Sequence, residues 1–163
     1  MKELYIVRHA KSDWSIEGLT DIDRALNARG YNDAHKVGSY LRSQGLIPQL
    51  MISSPAIRAL TTSLIFSDEL SFPKNNIKIE PDLYETGWKD YMAIINSLPE
   101  AISSVFIFGH NPIVSDLSSH LSGRVLEMPT CAVARFSLSE GKWNSLSVEN
   151  IEFIEMLTPK TIL

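Results

Sequence analysis

Two arginines and two histidines stand where the chain turns from apolar to polar within a residue or two. Arg8 and His9 follow the run Leu4-Tyr5-Ile6-Val7. Ser53 and Ser54 follow Leu50-Met51-Ile52, with Arg58 one turn further on. His110 and Asn111 follow Val105-Phe106-Ile107-Phe108 and Gly109. Singly, each has an ordinary reading: Arg8 as a surface charge, Arg58 as a helix-face residue paired with an acid, the histidines as satisfied core groups. Together they describe a pocket for a dianion, phosphate before any other, because a guanidinium fork matches phosphate oxygens and never loses its charge. Holding phosphate needs no histidine. An imidazole with one nitrogen held as N–H and the other free is a nucleophile. The expected chemistry is therefore attack by His9 on phosphorus, giving a phosphohistidine that water cleaves. Arg8, Arg58 and His110 would stabilise charge on the equatorial oxygens, and Asn111 would add to the phosphate contacts. Such a scheme needs no metal and no cofactor. The four histidines, His9, His35, His110 and His120, show no local chelating spacing; His35 and His120 read as exposed helix residues.

For these groups to meet, the apolar runs must be neighbouring strands of one sheet. Leu4 to Val7, Leu50 to Ile52 and Ser104 to Phe108 read as buried strands, the last mid-sheet, and Ile77 to Ile79 as a less buried one. Between them the pattern predicts a loop over 13–25 and a helix from Ala28 to Ser43, capped by Asn27 and ended by Gly45. A second helix opens with Ser54 as cap and Pro55 in its first turn and runs to about Leu70. A third spans about Tyr91 to Leu98. A fourth, with Asn111 as cap and Pro112 as its first residue, ends at Gly123. Val133 to Leu138 and Lys142 to Leu146 read as a hairpin, with 151–157 a further strand or an arm. Alternating strands and helices imply an α/β fold, a largely parallel sheet covered on both faces, with ligands at the carboxyl ends of its strands.

Length and composition agree. With 163 residues, 44% of them hydrophobic and 21% charged, the expectation is one soluble domain over residues 1–163. A net charge of −4 leaves no basic footprint for nucleic acid, so an anion site must be built locally. Cys131 is the lone cysteine, and no long apolar run precedes Arg8, which together favour a cytoplasmic setting with no secretory signal and no membrane contact. A cysteine-phosphatase cradle is excluded: three residues separate Cys131 from Arg135, where that cradle requires five. There is no Gly-x-Ser-x-Gly elbow and no nucleotide-type phosphate loop.

Four blocks in order carry a resemblance: Val7-Arg8-His9-Ala10-Lys11-Ser12-Asp13-Trp14, then Asp23-Arg24-Ala25-Leu26-Asn27 up to Gly30, then Ser53-Ser54-Pro55-Ala56-Ile57-Arg58 up to Thr62, then Gly109-His110-Asn111-Pro112. On these the chain resembles the histidine phosphatase superfamily (phosphoglycerate-mutase-like, expected in its branch 2), and within it the SixA-type phosphohistidine phosphatases, which carry alanine where Ala10 replaces the common glycine. The resemblance implies His9 as the phosphorylated nucleophile, Arg8, Arg58 and His110 as the phosphate pocket, and a three-layer α/β/α sandwich. It places Glu85 near the position of the mutase-type acid; the other reading of Glu85 is a solvated loop carboxylate. Only about forty residues separate Leu70 from His110, too few for a large helical cap, so the site should be open. An open site suits phosphohistidine on a protein, such as a histidine-containing phosphotransfer domain, acted on by a monomer. The alternatives are a small phosphoester as substrate, a non-catalytic module binding phosphorylated protein, and, as a weaker reading, a mutase.

Overall fold

Leu4, Tyr5, Ile6 and Val7 are all buried, as a strand covered on both faces requires. The computed structural model, which describes residues 1–162, places them in β1 (Lys2–Arg8) at the centre of the sheet. The chain continues through α1 (Ala28–Ser43), β2 (Leu50–Ser53), α2 (Ile57–Glu69), β3 (Ile77–Ile79), α3 (Trp88–Asn96), β4 (Ser104–Gly109), α4 (Ile113–Ser122), β5 (Val133–Leu138) and β6 (Glu152–Leu157). The sheet order is β3-β2-β4-β1-β5-β6. The first four strands in that order are parallel; β5 pairs antiparallel with β1, and β6 pairs antiparallel with β5 and so runs with the first four.

Side-chain alternation divides the core. Tyr5, Val7, Met51, Phe106 and Phe108 face α1 and α2, where Val37, Leu41 and Phe66 meet them. Leu4, Ile6, Ile52, Val105 and Ile107 face α3 and α4, where Tyr91, Ile95, Val114 and Leu117 meet them. The result is the expected three-layer α/β/α sandwich with no large helical insertion. Only β3, 3₁₀ turns and α3 occupy the stretch between α2 and β4. Among the described residues no helix is long and apolar enough to cross a membrane.

Helix α1 has the expected bounds. The Asn27 side chain accepts from the Gly30 N–H at 2.8 Å, and Gly45 follows the last turn at φ +70°. Elsewhere the boundaries shift. Helix α2 starts at Ile57 with Ala56 as cap, because the Ser54 hydroxyl accepts the Ala56 N–H at 3.2 Å in a turn ahead of the helix. Helix α4 starts at Ile113 with Pro112 as cap, and Asn111 reaches one turn further to accept from Ser115 N at 3.2 Å. Helix α3 starts three residues earlier than expected, since the Asp90 carboxylate accepts the Gly87 N–H at 2.9 Å and secures the first turn.

The expected hairpin is corrected. Residues 142–146 are no strand; Trp143–Ser145 is a 3₁₀ turn, and β5 pairs instead with β6. Trp143 and Leu146 are both buried, three apart as a 3₁₀ turn presents them and not two apart as a strand would. The Trp143 indole N–H donates to Ile102 O at 2.7 Å, which holds it under the sheet.

Candidate active site

Register alone brings the three junctions together. Arg8 lies opposite Gly109, and Ser53 opposite Phe108. The ladder runs one step further on each side: His9 N–H donates to Gly109 O at 3.1 Å, and Ser54 N–H to Phe108 O at 3.0 Å. A fourth segment enters from the antiparallel side, where Cys131 N–H donates to His9 O at 3.0 Å. At this sheet edge lies a cavity of about 310 Å³ lined by Arg8, His9, Lys11, Arg24, Arg58, His110 and Asn111, among others.

His9 Nδ1 is 2.7 Å from the carbonyl of Ala10. A carbonyl only accepts, so Nδ1 carries the proton and Nε2 keeps its lone pair. Burial, with His110, Arg58 and Arg8 nearby, pushes its pKa down to about 3, against the raising effect of the carbonyl. The ring is therefore neutral near pH 7. Its 5.3 Å centroid separation from the His110 ring lets both address one ligand.

His110 is kept neutral in the same way, first by burial and then by Arg58, with its pKa lowered to about 4. Its Nε2 is 2.7 Å from the Ser54 hydroxyl, and its buried Nδ1 has no protein partner. Arg8 donates from Nη1 to Met128 O at 3.0 Å, while its buried Nε is unpartnered. Arg58 also has a buried, unpartnered Nε. Its Nη1 donates to Asp21 O at 2.7 Å and its Nη2 to Asp21 Oδ2 at 2.9 Å. The residues lining the cavity thus include two guanidiniums, each with a buried Nε–H that no protein atom satisfies, and an imidazole whose Nδ1 also lacks a protein partner. Buried donors of this kind normally have a partner, and an oxyanion would supply one.

Asn111 lines the cavity, but its amide also works in the frame. Nδ2 donates to Met128 O at 2.9 Å, and Oδ1 accepts from the Ser115 hydroxyl at 2.7 Å. Glu85 is exposed and lines an adjoining cavity of about 240 Å³ that shares Arg58, His110 and Asn111 with the first. Its backbone is left-handed, φ +55°, a conformation uncommon for a non-glycine residue. Trp14 is 72% exposed at the cavity's rim. Trp88 instead stacks on His120, 4.3 Å between centroids. His35 meets Glu69 at 3.0 Å on the surface.

Sequence reasoning missed Asp21, Arg24 and Tyr84. Asp21 receives Arg24, Arg58 and the Tyr84 hydroxyl, and Arg24 is buried with its Nη1 on the Ser12 hydroxyl at 2.6 Å. They lie in loops without periodicity, so no pattern flagged them. The one available hint was that Arg24 falls inside a resemblance block; Asp21, three residues before it, lies just outside that block. Met128 and Thr130, on the segment before β5, carried no signal.

A search of protein families matches residues 4–102 to the histidine phosphatase superfamily, branch 1, which corrects the expected branch 2. An uncharacterised chloroplast protein of Arabidopsis thaliana is 32% identical over 87% of this chain and 69% of its own length. Phosphohistidine phosphatase SixA of Escherichia coli is 27% identical over 85% of this chain and 86% of its own. The solved structure of the protein histidine phosphatase SixA with tungstate superposes with a TM-score of 0.83 at 22% identity, covering 97% of each chain.

Proposed function

The chain belongs to the histidine phosphatase superfamily and is a phosphatase-type hydrolase of SixA type, and on that premise we propose that it removes phosphate from phosphohistidine on a protein, through a phosphorylated His9 and without a metal. The whole of residues 1–163 acts as one domain in this reading. The observation that carries it is the His9 tautomer: Nδ1 bound to the Ala10 carbonyl, with a free lone pair at Nε2 beside unpaired cationic donors.

His9 Nε2 forms a bond to phosphorus as the bond to the leaving group breaks. The leaving nitrogen or oxygen takes a proton, for which Glu85 is the proposed donor to an oxygen; a phosphoramidate nitrogen is basic enough to need less help. Water then attacks phosphorus, the P–N bond to His9 breaks, and orthophosphate leaves. Arg8, Arg58 and His110 hold the oxygens throughout, and Asn111 frames them. The uncapped pocket and the E. coli relative's activity support a protein-borne phosphate as substrate.

The test compares hydrolysis of a phosphorylated histidine-containing protein, phosphoramidate and p-nitrophenyl phosphate with chelator present. His9→Ala should lower turnover by roughly three orders of magnitude or more while the fold persists. Turnover that survives in that variant rules out His9 as nucleophile. A preference for p-nitrophenyl phosphate identifies a small phosphoester phosphatase. Tight orthophosphate binding with no turnover of any substrate identifies a binding module.

A further inference from the structure

The Asp21 carboxylate has no lone pair to give to proton transfer. Oδ1 accepts from Arg24 Nε at 3.2 Å and Nη2 at 3.1 Å; Oδ2 accepts from Arg58 Nη2 at 2.9 Å and the Tyr84 hydroxyl at 2.7 Å. A carboxylate offers about four acceptor directions, and all are filled. Desolvation alone would raise its pKa, but the bonds from Tyr84, Arg58 and Arg24 outweigh that and bring it down to about 2. An ionised, saturated carboxylate is neither acid nor base at neutral pH.

Its position suggests another task. The Asp21 carbonyl takes Arg58 Nη1 and its carboxylate takes Nη2, so one residue grips both terminal nitrogens of that guanidinium. Of the five N–H groups of an arginine, three remain, including the buried, unpartnered Nε. Arg24 braces the carboxylate from its other oxygen. Arg24 is fixed in turn by Ser12 at 2.6 Å and by the Trp14 ring, whose centroid lies 3.5 Å from its guanidinium carbon.

We propose that Asp21 is a positioning residue for phosphate binding, which clamps Arg58 so that its remaining N–H groups meet the anion. The proposal rests on the reading of this cavity as a phosphate site and deepens it. It makes a prediction of unusual sign. A carboxylate beside a dianion repels it, so by Coulomb's law its neutralisation should tighten binding. Loss of a clamp does the reverse, because a freed arginine must be ordered again by the ligand.

The experiment measures orthophosphate affinity by calorimetry, and as competitive inhibition of p-nitrophenyl phosphate hydrolysis, in the wild type, Asp21→Asn, Asp21→Glu, Arg58→Ala and the Asp21→Asn/Arg58→Ala double variant. Asp21→Asn should weaken binding by roughly tenfold or more. Asp21→Glu keeps the charge but displaces it, and should also weaken binding; it serves as the test on its own if the asparagine variant does not fold. In the Arg58→Ala background the asparagine change should weaken binding far less than it does in the wild type, since the clamped guanidinium is gone while the repulsion is still relieved. Unchanged or tighter binding in Asp21→Asn with no effect of Asp21→Glu overturns the clamp and leaves the phosphate site standing. No orthophosphate binding to the wild type overturns the site reading, and the clamp with it.

Discussion

At the scale of single residues, the site rests on cations and imidazoles held short of their usual partners. His110 is neutral in the free protein because burial lowers its pKa to about 4. A bound dianion favours the imidazolium, which could donate from Nδ1 to the anion and from Nε2 to Ser54. Binding near pH 6 should therefore take up a proton, and affinity should fall as pH rises through the higher pKa of the complex. Sulfate is the probe of choice, since it stays a dianion throughout that range. Calorimetry in buffers of different ionisation enthalpy reads the uptake directly. No uptake would mean that His110 stays neutral against the anion. Arg8, His9, Arg58 and His110 were legible because each ends or closely follows an apolar strand. Asp21 was not, because a loop carboxylate has no pattern until its donors are in place.

At the scale of elements, the site depends on how close β4 and α3 approach. A Cβ added at Gly109 would lie 2.7 Å from the Tyr91 ring at Cε2 and closer still to its hydroxyl. That hydroxyl donates to Leu83 O at 2.7 Å and accepts the His110 N–H at 3.3 Å. Gly109→Ala should thus push α3 away from the strand end that carries His110. The expected cost is about 1–3 kcal/mol of stability, read as a lower urea midpoint at an unchanged slope, together with reduced kcat. A variant with both values unchanged would show that the strand and helix are not in contact there. The capped helix α1 and the long apolar strands were legible from periodicity. The 3₁₀ turn at Trp143–Ser145 was not, because a short stretch with a large apolar residue at each end reads equally well as a strand until the indole finds Ile102.

At the scale of the molecule, a chain of net charge −4 concentrates Arg8, Lys11, Arg24 and Arg58 around one cavity. Burial at that cavity, with Arg58 and Arg8 adding to it, keeps two histidines neutral and has a consequence for acid stability. The pKa values of His9 and His110 are lowered to about 3 and about 4 in the folded state, from about 6.5 in an unfolded chain. Below pH 6.5 the unfolded chain therefore binds more protons, and stability falls as pH drops from there toward 3–4. The loss should reach a few kcal/mol when both have titrated in the unfolded chain. Asp21 acts in the same direction at lower pH: its stabilisation is present above about 3.8 and is lost as pH falls through about 2. Denaturant midpoints from pH 7 to pH 4 should decline, and sulfate should reduce the decline by stabilising the protonated rings. A flat profile over that range would mean that the histidines titrate as they do in water.

The sequence by itself determined the layered α/β architecture, the central strands and the residues that close them, because burial on both faces and polar strand ends are local properties of composition and order. Tertiary structure alone decided that β5 pairs with β6 and that Asp21 grips Arg58. Those outcomes depend on atoms distant in the chain coming within hydrogen-bond reach, and no spacing along the backbone encodes such a distance.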